Sequence, residues 1–296
     1  MFVFCRMFKW IYLYIVKLES VSMKRTACSD RPFLRWAGGK TWLTDFVLSL
    51  TKDLNFNHYY EPFLGGGAVF FALKPQNAIL SDVNTELIHT YITLREKPEE
   101  VISVLKTFQN ESECYYRVRS DVREDDVYMC ARFIFLNQTS YNGLYRVNMA
   151  GQYNVPFGRR SVDFIKEDHL RHVSQLLQKA DLRCGDFGYY ENQITAGDLV
   201  FLDPPYTVSH NQNGFIKYNQ HLFSLKDQYR LKAYIDQIKE RGAYYILTNA
   251  AHETIREIFD DGDVMYTRNR HSTIGGNKAR RGHVDEYVFT NIQMGE

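Results

Sequence analysis

The chain has 296 residues, 45% hydrophobic and 24% charged, which is enough apolar material for one large α/β domain or a core domain with an insertion. A formal net charge of only +1 excludes a uniformly basic nucleic-acid surface, so any such surface has to come from local clustering. Five scattered cysteines without a Cys-x-x-Cys pair argue against a zinc site and for a reducing cytoplasm, and His169 and His172 stand three apart with no accompanying ligand motif, so no metal is expected.

Residues 1–22 resemble a membrane segment at first. Arg6, Lys9 and Lys17 interrupt them, however, and the unbroken run Trp10 to Val16 falls far short of the roughly 20 residues a span needs. No membrane anchor is expected. Met23-Lys24-Arg25-Thr26 reads like a natural start, so residues 1–22 are expected to be an extension outside the core.

Pro32 to Thr41 contains Trp36-Ala37-Gly38-Gly39-Lys40-Thr41. A phosphate-binding loop needs glycine five positions before Gly39, and Leu34 stands there. Paired glycines between a tryptophan and a lysine instead suggest backbone passing close to a ligand, with Trp36 as a wall and Lys40 reaching a carboxylate, before a helix over Trp42 to Leu50. Tyr59 to Phe71 then reads as a short strand, a glycine-rich turn and an apolar helix, the opening of a dinucleotide-type βαβ unit in which missing side chains admit a ligand. Phe70 occupies the place of the third glycine, which weakens a pyrophosphate reading. Ala78 to Asp82 is a second strand ending on a carboxylate, roughly twenty residues beyond the glycines, where such folds bind ribose hydroxyls. Capping of the helix Thr85 to Leu94 is the competing role for Asp82.

Lys97 to Arg123 is charged and helix-like, and Val127 to Leu136 forms a more apolar helix. From Val127 to Arg160 there is no acidic residue, while Arg132, Arg146, Arg159 and Arg160 interleave with amides and aromatics. That pattern suits a surface meeting phosphates and base edges. Leu182 to Phe187 returns to the sheet, and Asp186 either takes an adenine amino group or caps a helix.

Gly197 to Leu202 is a buried strand that ends abruptly in Asp203-Pro204-Pro205-Tyr206. In an open α/β sheet, ligands bind beyond the carboxyl ends of strands, so Asp203 is expected to face the crevice. The prolines stiffen the turn and remove local donors. Asp203 and the Pro204 carbonyl are thus suited to an exocyclic amino group on a planar base, with Tyr206 stacking on its face. A loop from Thr207 to Tyr218, an amphipathic helix Leu225 to Arg241 and a buried strand Ala243 to Asn249 follow. Two more strands, Val264 to Thr267 and Glu286 to Thr290, flank a basic arm from Arg268 to Gly282 suited to phosphates.

Trp36 to Lys40, Glu61-Pro62-Phe63 with its glycines, Asp82, and Asp203 to Tyr206, in this order, resemble the Dam-type DNA adenine N6-methyltransferases, over almost the whole chain from residue 32. The extra glycine, Gly66, falls on a variable position of the family's glycine turn. The resemblance implies a Rossmann-like mixed α/β sheet of the class I S-adenosyl-L-methionine-dependent methyltransferase type. It implies catalytic residues Asp203, Pro204 and Tyr206, and cofactor contacts from Trp36, Lys40, Phe63, Asp82, Asp186 and Asp203. Residues 23–95 and 181–296 would form the catalytic domain and residues 96–180 a mostly helical target-recognition insertion. Tyr141 to Arg146 resembles the hairpin of the GATC-recognising branch, with Arg146 reading a guanine and Tyr141 or Leu144 filling space near an extruded base. The DNA-binding candidates are Arg35, Tyr141, Asn142, Leu144, Arg146, Pro156, Arg159, Arg160, Lys278 and Arg280. A cytoplasmic monomer acting on double-stranded DNA is expected. The rivals are a methyltransferase for RNA or protein glutamine, the latter usually with Asn in place of Asp203, and a non-catalytic DNA-binding regulator on the same fold.

Overall fold

In the computed structural model, residues 30–148, 150–207, 223–271 and 283–294 are described. The proposed extension 1–22, most of the loop after Thr207, and Lys278 and Arg280 lie outside them.

The chain runs through α1 (Thr44–Thr51), β1 (Tyr59–Glu61), α2 (Ala68–Leu73), β2 (Ala78–Asp82), α3 (Thr85–Glu96), α4 (Pro98–Leu105), α5 (Ser112–Ser120) and α6 (Asp126–Thr139). It continues with α7 (Glu167–Leu177), β3 (Ala180–Cys184), β4 (Leu199–Leu202), α8 (Leu225–Glu240), β5 (Tyr244–Ala250), α9 (Glu253–Phe259), β6 (Val264–His271) and β7 (His283–Thr290). The seven strands form one sheet in the order β3-β2-β1-β4-β5-β7-β6. β1 to β5 pair in parallel, and β7 joins β5 and β6 antiparallel. Successive βαβ crossovers run outward from β1 in one direction and from β4 in the other, so the order reverses between these two strands, where α/β sheets open a crevice.

Residue alternation along the strands feeds two apolar layers. Tyr59, Leu80, Leu199 and Phe201 join one cluster with the helices α1 to α7, whereas Tyr60, Val200 and Leu202 join a second with α8 and α9. Helix α6 is buried on most of its surface and carries Asn137, which is fully buried, in its last turn. Its side chain accepts from Arg35 N at 2.8 Å and donates to Arg35 O at 2.7 Å, while Gln138 Nε2 donates to Phe33 O at 2.5 Å. The C-terminus of α6 therefore fixes the irregular segment leading into Trp36.

Several boundaries differ from the sequence reading. The charged run Lys97 to Arg123 is two helices, α4 and α5, and the first helix begins at Thr44 instead of Trp42. Asn84, not Asp82, caps α3, its side chain accepting from Leu87 N at 3.1 Å. Tyr141–Gly143 is a short 3-10 turn, and the hairpin follows it, with Asn154 N bonded to Arg146 O and Asn148 N to Gln152 O. β6 extends through His271, so Arg268 and Arg270 belong to the sheet instead of the arm. No helix among the described residues is long and apolar enough to cross a membrane.

Candidate active site

Three adjacent parallel strands deliver carboxylates to one edge of the sheet: β2 ends on Asp82, β1 on Glu61, and β4 is followed at once by Asp203. They line a cleft of about 1230 Å³, together with Trp36, Lys40, Phe63, the glycine turn, Tyr145, Asp186, Pro204 and Tyr206.

Lys40 is almost fully buried, and its Nζ lies 2.7 Å from Asp203 Oδ1 and 3.7 Å from Glu286 Oε2. The carboxylate it reaches is thus the protein's own. Thr248 Oγ1 donates to the same Asp203 oxygen at 2.8 Å. Asp203 Oδ2 and the Pro204 carbonyl accept no hydrogen bond from a described residue. Burial raises the affinity of Asp203 for a proton, against the opposing pull of Lys40. Tyr206 is partly exposed, and its hydroxyl donates to Glu286 Oε2 at 2.5 Å. Burial of the hydroxyl, reinforced by Glu286, holds that phenol well above its usual range, so it stays protonated and keeps its proton for Glu286.

Glu61 sits beneath the cleft at 2% exposure. Tyr59 Oη at 2.7 Å and Phe70 N at 3.2 Å both donate to its Oε2, and burial pushes its pKa to about 8 despite those bonds. Asp82 accepts from Gly65 N at 3.0 Å and Asn84 N at 2.9 Å, so it braces the glycine turn while lining the cleft. Burial raises its pKa, and those backbone donors oppose the shift.

The glycine turn lines the cleft and has a further reason in its packing. A Cβ at Gly65, where φ is +47°, would stand 2.7 Å from Trp36 Cδ1, and one at Gly66 would stand 3.2 Å from Trp36 Cβ. The room these glycines leave is filled by the Trp36 side chain. On its other side Trp36 stacks on Tyr145, with centroids 5.5 Å apart. Tyr145 Oη donates to Glu86 Oε2 at 2.7 Å, which fixes the root of the hairpin against α3. Phe63 packs with Phe187 and Phe223, at 5.4 and 5.7 Å between centroids. Asp186 caps the turn Phe187–Gln193 through Gly188 N and pairs with Arg230 at 2.6 Å, so capping is realised at a position that also lines the cleft.

Tyr141, Asn142, Arg146, Pro156, Arg159 and Arg160 are all exposed on the segment 140–160. Arg146 Nε bonds Asn154 Oδ1 at 2.7 Å across the hairpin, and Asn142 and Arg159 have left-handed backbone at φ 56° and 53°. Leu144 is partly buried and packs on the core. Arg35 is also partly buried, its guanidinium beneath Gly143 and its Nη1 buried without a partner. Arg268 and Arg270 are engaged internally, Arg268 over the Phe46 ring at 3.7 Å and Arg270 on Glu286. They are not free phosphate anchors.

The family described as D12 class N6 adenine-specific DNA methyltransferase matches residues 36–274. The chain belongs to that family. It is an adenine-specific DNA methyltransferase, and its seven-stranded mixed sheet is consistent with the class I methyltransferase fold. The Type II methyltransferase M1.LlaDCHI of Lactococcus lactis subsp. cremoris is 33% identical over 280 residues, covering 91% of this chain and 98% of the relative. M.MjaIII, a Type II methyltransferase of Methanocaldococcus jannaschii, is 37% identical over 243 residues, covering 74% and 84%. The DNA adenine methylase of Escherichia coli is 31% identical over 268 residues, covering 88% and 94%.

Sequence reading passed over Glu61, Tyr145, Thr248, Arg270 and Glu286 as site residues. For Glu286 a signal existed: it is an acid between Val284 and Val288 on one face of a strand. Tyr145 carried none, because its partner Trp36 is remote in sequence.

Proposed function

We propose that this methyltransferase moves a methyl group from S-adenosyl-L-methionine to N6 of an adenine turned out of duplex DNA, at GATC. The observation that carries the reading is a pair of acceptors that no described residue claims, Asp203 Oδ2 and the Pro204 carbonyl, beside the partly exposed Tyr206. An exocyclic amino group has two N–H donors for those two oxygens, and its ring offers a face to Tyr206. The aspartate at 203 also disfavours a glutamine acceptor.

The donor set fits the cofactor. Asp82, Asp186 and Asp203 suit a ligand bearing a sulfonium, an ammonium and ribose hydroxyls, and the Phe63, Phe187 and Phe223 rings suit its purine. The cleft, at about 1230 Å³, exceeds the roughly 300–1,000 Å³ of a single small-molecule site, leaving room for a base as well. Trp36, Lys40, Phe63, Asp82, Asp186 and Asp203 would hold the cofactor, which supplies an electrophilic methyl group when bound.

The N6 lone pair of adenine is delocalised into the ring and attacks poorly. Accepting both amino hydrogens, Asp203 and Pro204 favour a pyramidal nitrogen and stabilise the positive charge that develops on it. Holding the reacting atoms in line contributes on the order of 7–11 kcal/mol at best. The nitrogen then sheds a proton, and Asp203, whose proton affinity burial raises, is the adjacent acceptor. Everting the base costs a few kcal/mol, part of which stacking on Tyr206 returns.

For DNA, the acid-free surface around Tyr141, Asn142, Leu144, Arg146, Pro156, Arg159 and Arg160 faces base edges and phosphates, with Arg35 behind it and Lys278 and Arg280 adding phosphate contacts. GATC rests on the likeness of Tyr141 to Arg146 to the hairpin of that branch. The enzyme acts as a monomer on DNA in the cytoplasm. Incubation with methyl-labelled cofactor and unmethylated DNA, followed by mapping of N6-methyladenine, tests all of this. Label confined to GATC adenines is the expected result. Label on RNA or glutamine, or DNA binding without transfer, overturns the reading.

A further inference from the structure

Behind the catalytic turn lies a group of four charges that sum to zero, with Lys40 and Glu286 buried and Asp203 and Arg270 partly exposed. Glu286 is its hub. At 1% exposure it pairs through Oε1 with Arg270, accepts the Tyr206 hydroxyl through Oε2 at 2.5 Å, and stands 3.7 Å from the Lys40 ammonium. Glu286 is on β7, beyond the residues 36–274 that match the family, and Arg270 reaches it from the paired strand β6. A carboxylate buried this deeply persists only with partners, and each of its oxygens has one.

We propose that Glu286 is a positioning residue for methyl transfer: it pins the far end of the Tyr206 ring so that the face meeting the everted adenine is fixed before the base arrives. This rests on the adenine-transfer reading above. The backbone of Tyr206 follows two prolines, so its near end is already stiff, and the hydroxyl anchor removes the remaining ring freedom. Arg270, paired with the other carboxylate oxygen, holds Glu286 in place as the acceptor. Lys40 shares its charge with Asp203, which couples the two carboxylates through one ammonium. A residue acting this way changes how well bound adenine is aligned, not how tightly cofactor or DNA binds.

The test compares single-turnover methylation of duplex DNA by wild type, Tyr206→Phe, the charge-balanced pair Glu286→Leu with Arg270→Met, and their combination, with cofactor affinity measured by calorimetry on each. Tyr206→Phe keeps the ring and all four charges and loses only the hydroxyl. The paired variant removes the acceptor without stranding a buried charge, so folding is protected. The expected result is a rate about 10- to 100-fold lower for Tyr206→Phe, with cofactor and DNA dissociation constants within about threefold of wild type. The paired change, added to Tyr206→Phe, is expected to slow it by no more than about twofold, because both act through one hydrogen bond. Tyr206→Phe turnover at the wild-type rate, penalties that multiply in the combination, or a loss of cofactor affinity that accounts for the slower rate each overturns the proposal while leaving adenine transfer standing. Wild-type protein that does not methylate DNA adenine at all overturns both.

Discussion

Trp36 and Tyr145 lie stacked, with their ring centroids 5.5 Å apart and their planes 21° from parallel. One ring belongs to the segment that enters the cleft and the other to the root of the hairpin, so a disturbance of either is felt at both. Tyr145→Ala removes the stack, and an aromatic pair contributes about 0.5–1.5 kcal/mol beyond its buried area. Cofactor affinity, measured by calorimetry without DNA, is expected to fall by about tenfold, while Tyr145→Phe, which keeps the ring, stays within about threefold.

The glycine turn supplies a contrast between space and backbone. Gly65→Ala places a methyl group 2.7 Å from Trp36 Cδ1 at a φ of +47°, whereas Gly38→Ala has the positive φ, +80°, but open space around the new carbon. Gly38→Ala is expected to cost about 1 kcal/mol and Gly65→Ala about 1–3 kcal/mol more in denaturant unfolding. Equal costs would show that Trp36 yields freely.

Glu61 makes stability depend on pH. Its carboxyl, raised from its ordinary 4.5 to about 8 chiefly by burial, keeps a proton in the folded chain that the unfolded chain has released. The folded state binds more protons between those two values, so this contribution is complete below pH 4.5 and is lost as pH rises through about 8. Glu61→Gln, fixed in the neutral form, should therefore gain on wild type by on the order of a few kcal/mol between pH 5 and pH 8. Urea unfolding at the two pH values checks this, and a difference between the proteins that does not change with pH contradicts it.

Arginines on the exposed segment are expected to divide by role. Arg146→Ala should cost about 1–3 kcal/mol on the cognate site and relax discrimination at one base pair. Arg159→Ala or Arg160→Ala should weaken binding to every sequence and lower the salt slope by about one contact each. Binding titrations at several salt concentrations on cognate and scrambled duplexes separate the two patterns.

Strand ends were the readable part of this site. Asp82 and Asp203 each close an apolar run, and a short run broken by an acid or by two prolines marks both the strand and the place where ligands gather. The break between α4 and α5 was hidden because no Gly or Pro stands between Glu99 and Glu124, and the turn there is made by ordinary residues such as Thr107 and Asn110. The reason for Gly65 and Gly66 was hidden as well, since the ring that fills their space arrives from Trp36, an earlier segment. Glu286 and Arg270 meet through the antiparallel register of β6 and β7, and only that register brings their charges behind Tyr206. Sequence fixes which residues are unusual for their element; pairing across the sheet decides which of them act together.

The central claim is that Asp203 holds the adenine amino group during transfer. Its most direct test is the single-turnover methylation rate of Asp203→Ala at saturating cofactor, with duplex DNA affinity measured on the same preparation. A rate lowered by about 10²-fold or more, with DNA affinity retained, is the result expected from removing one preorganised acceptor of developing charge. Near-normal turnover in that variant would contradict the assignment.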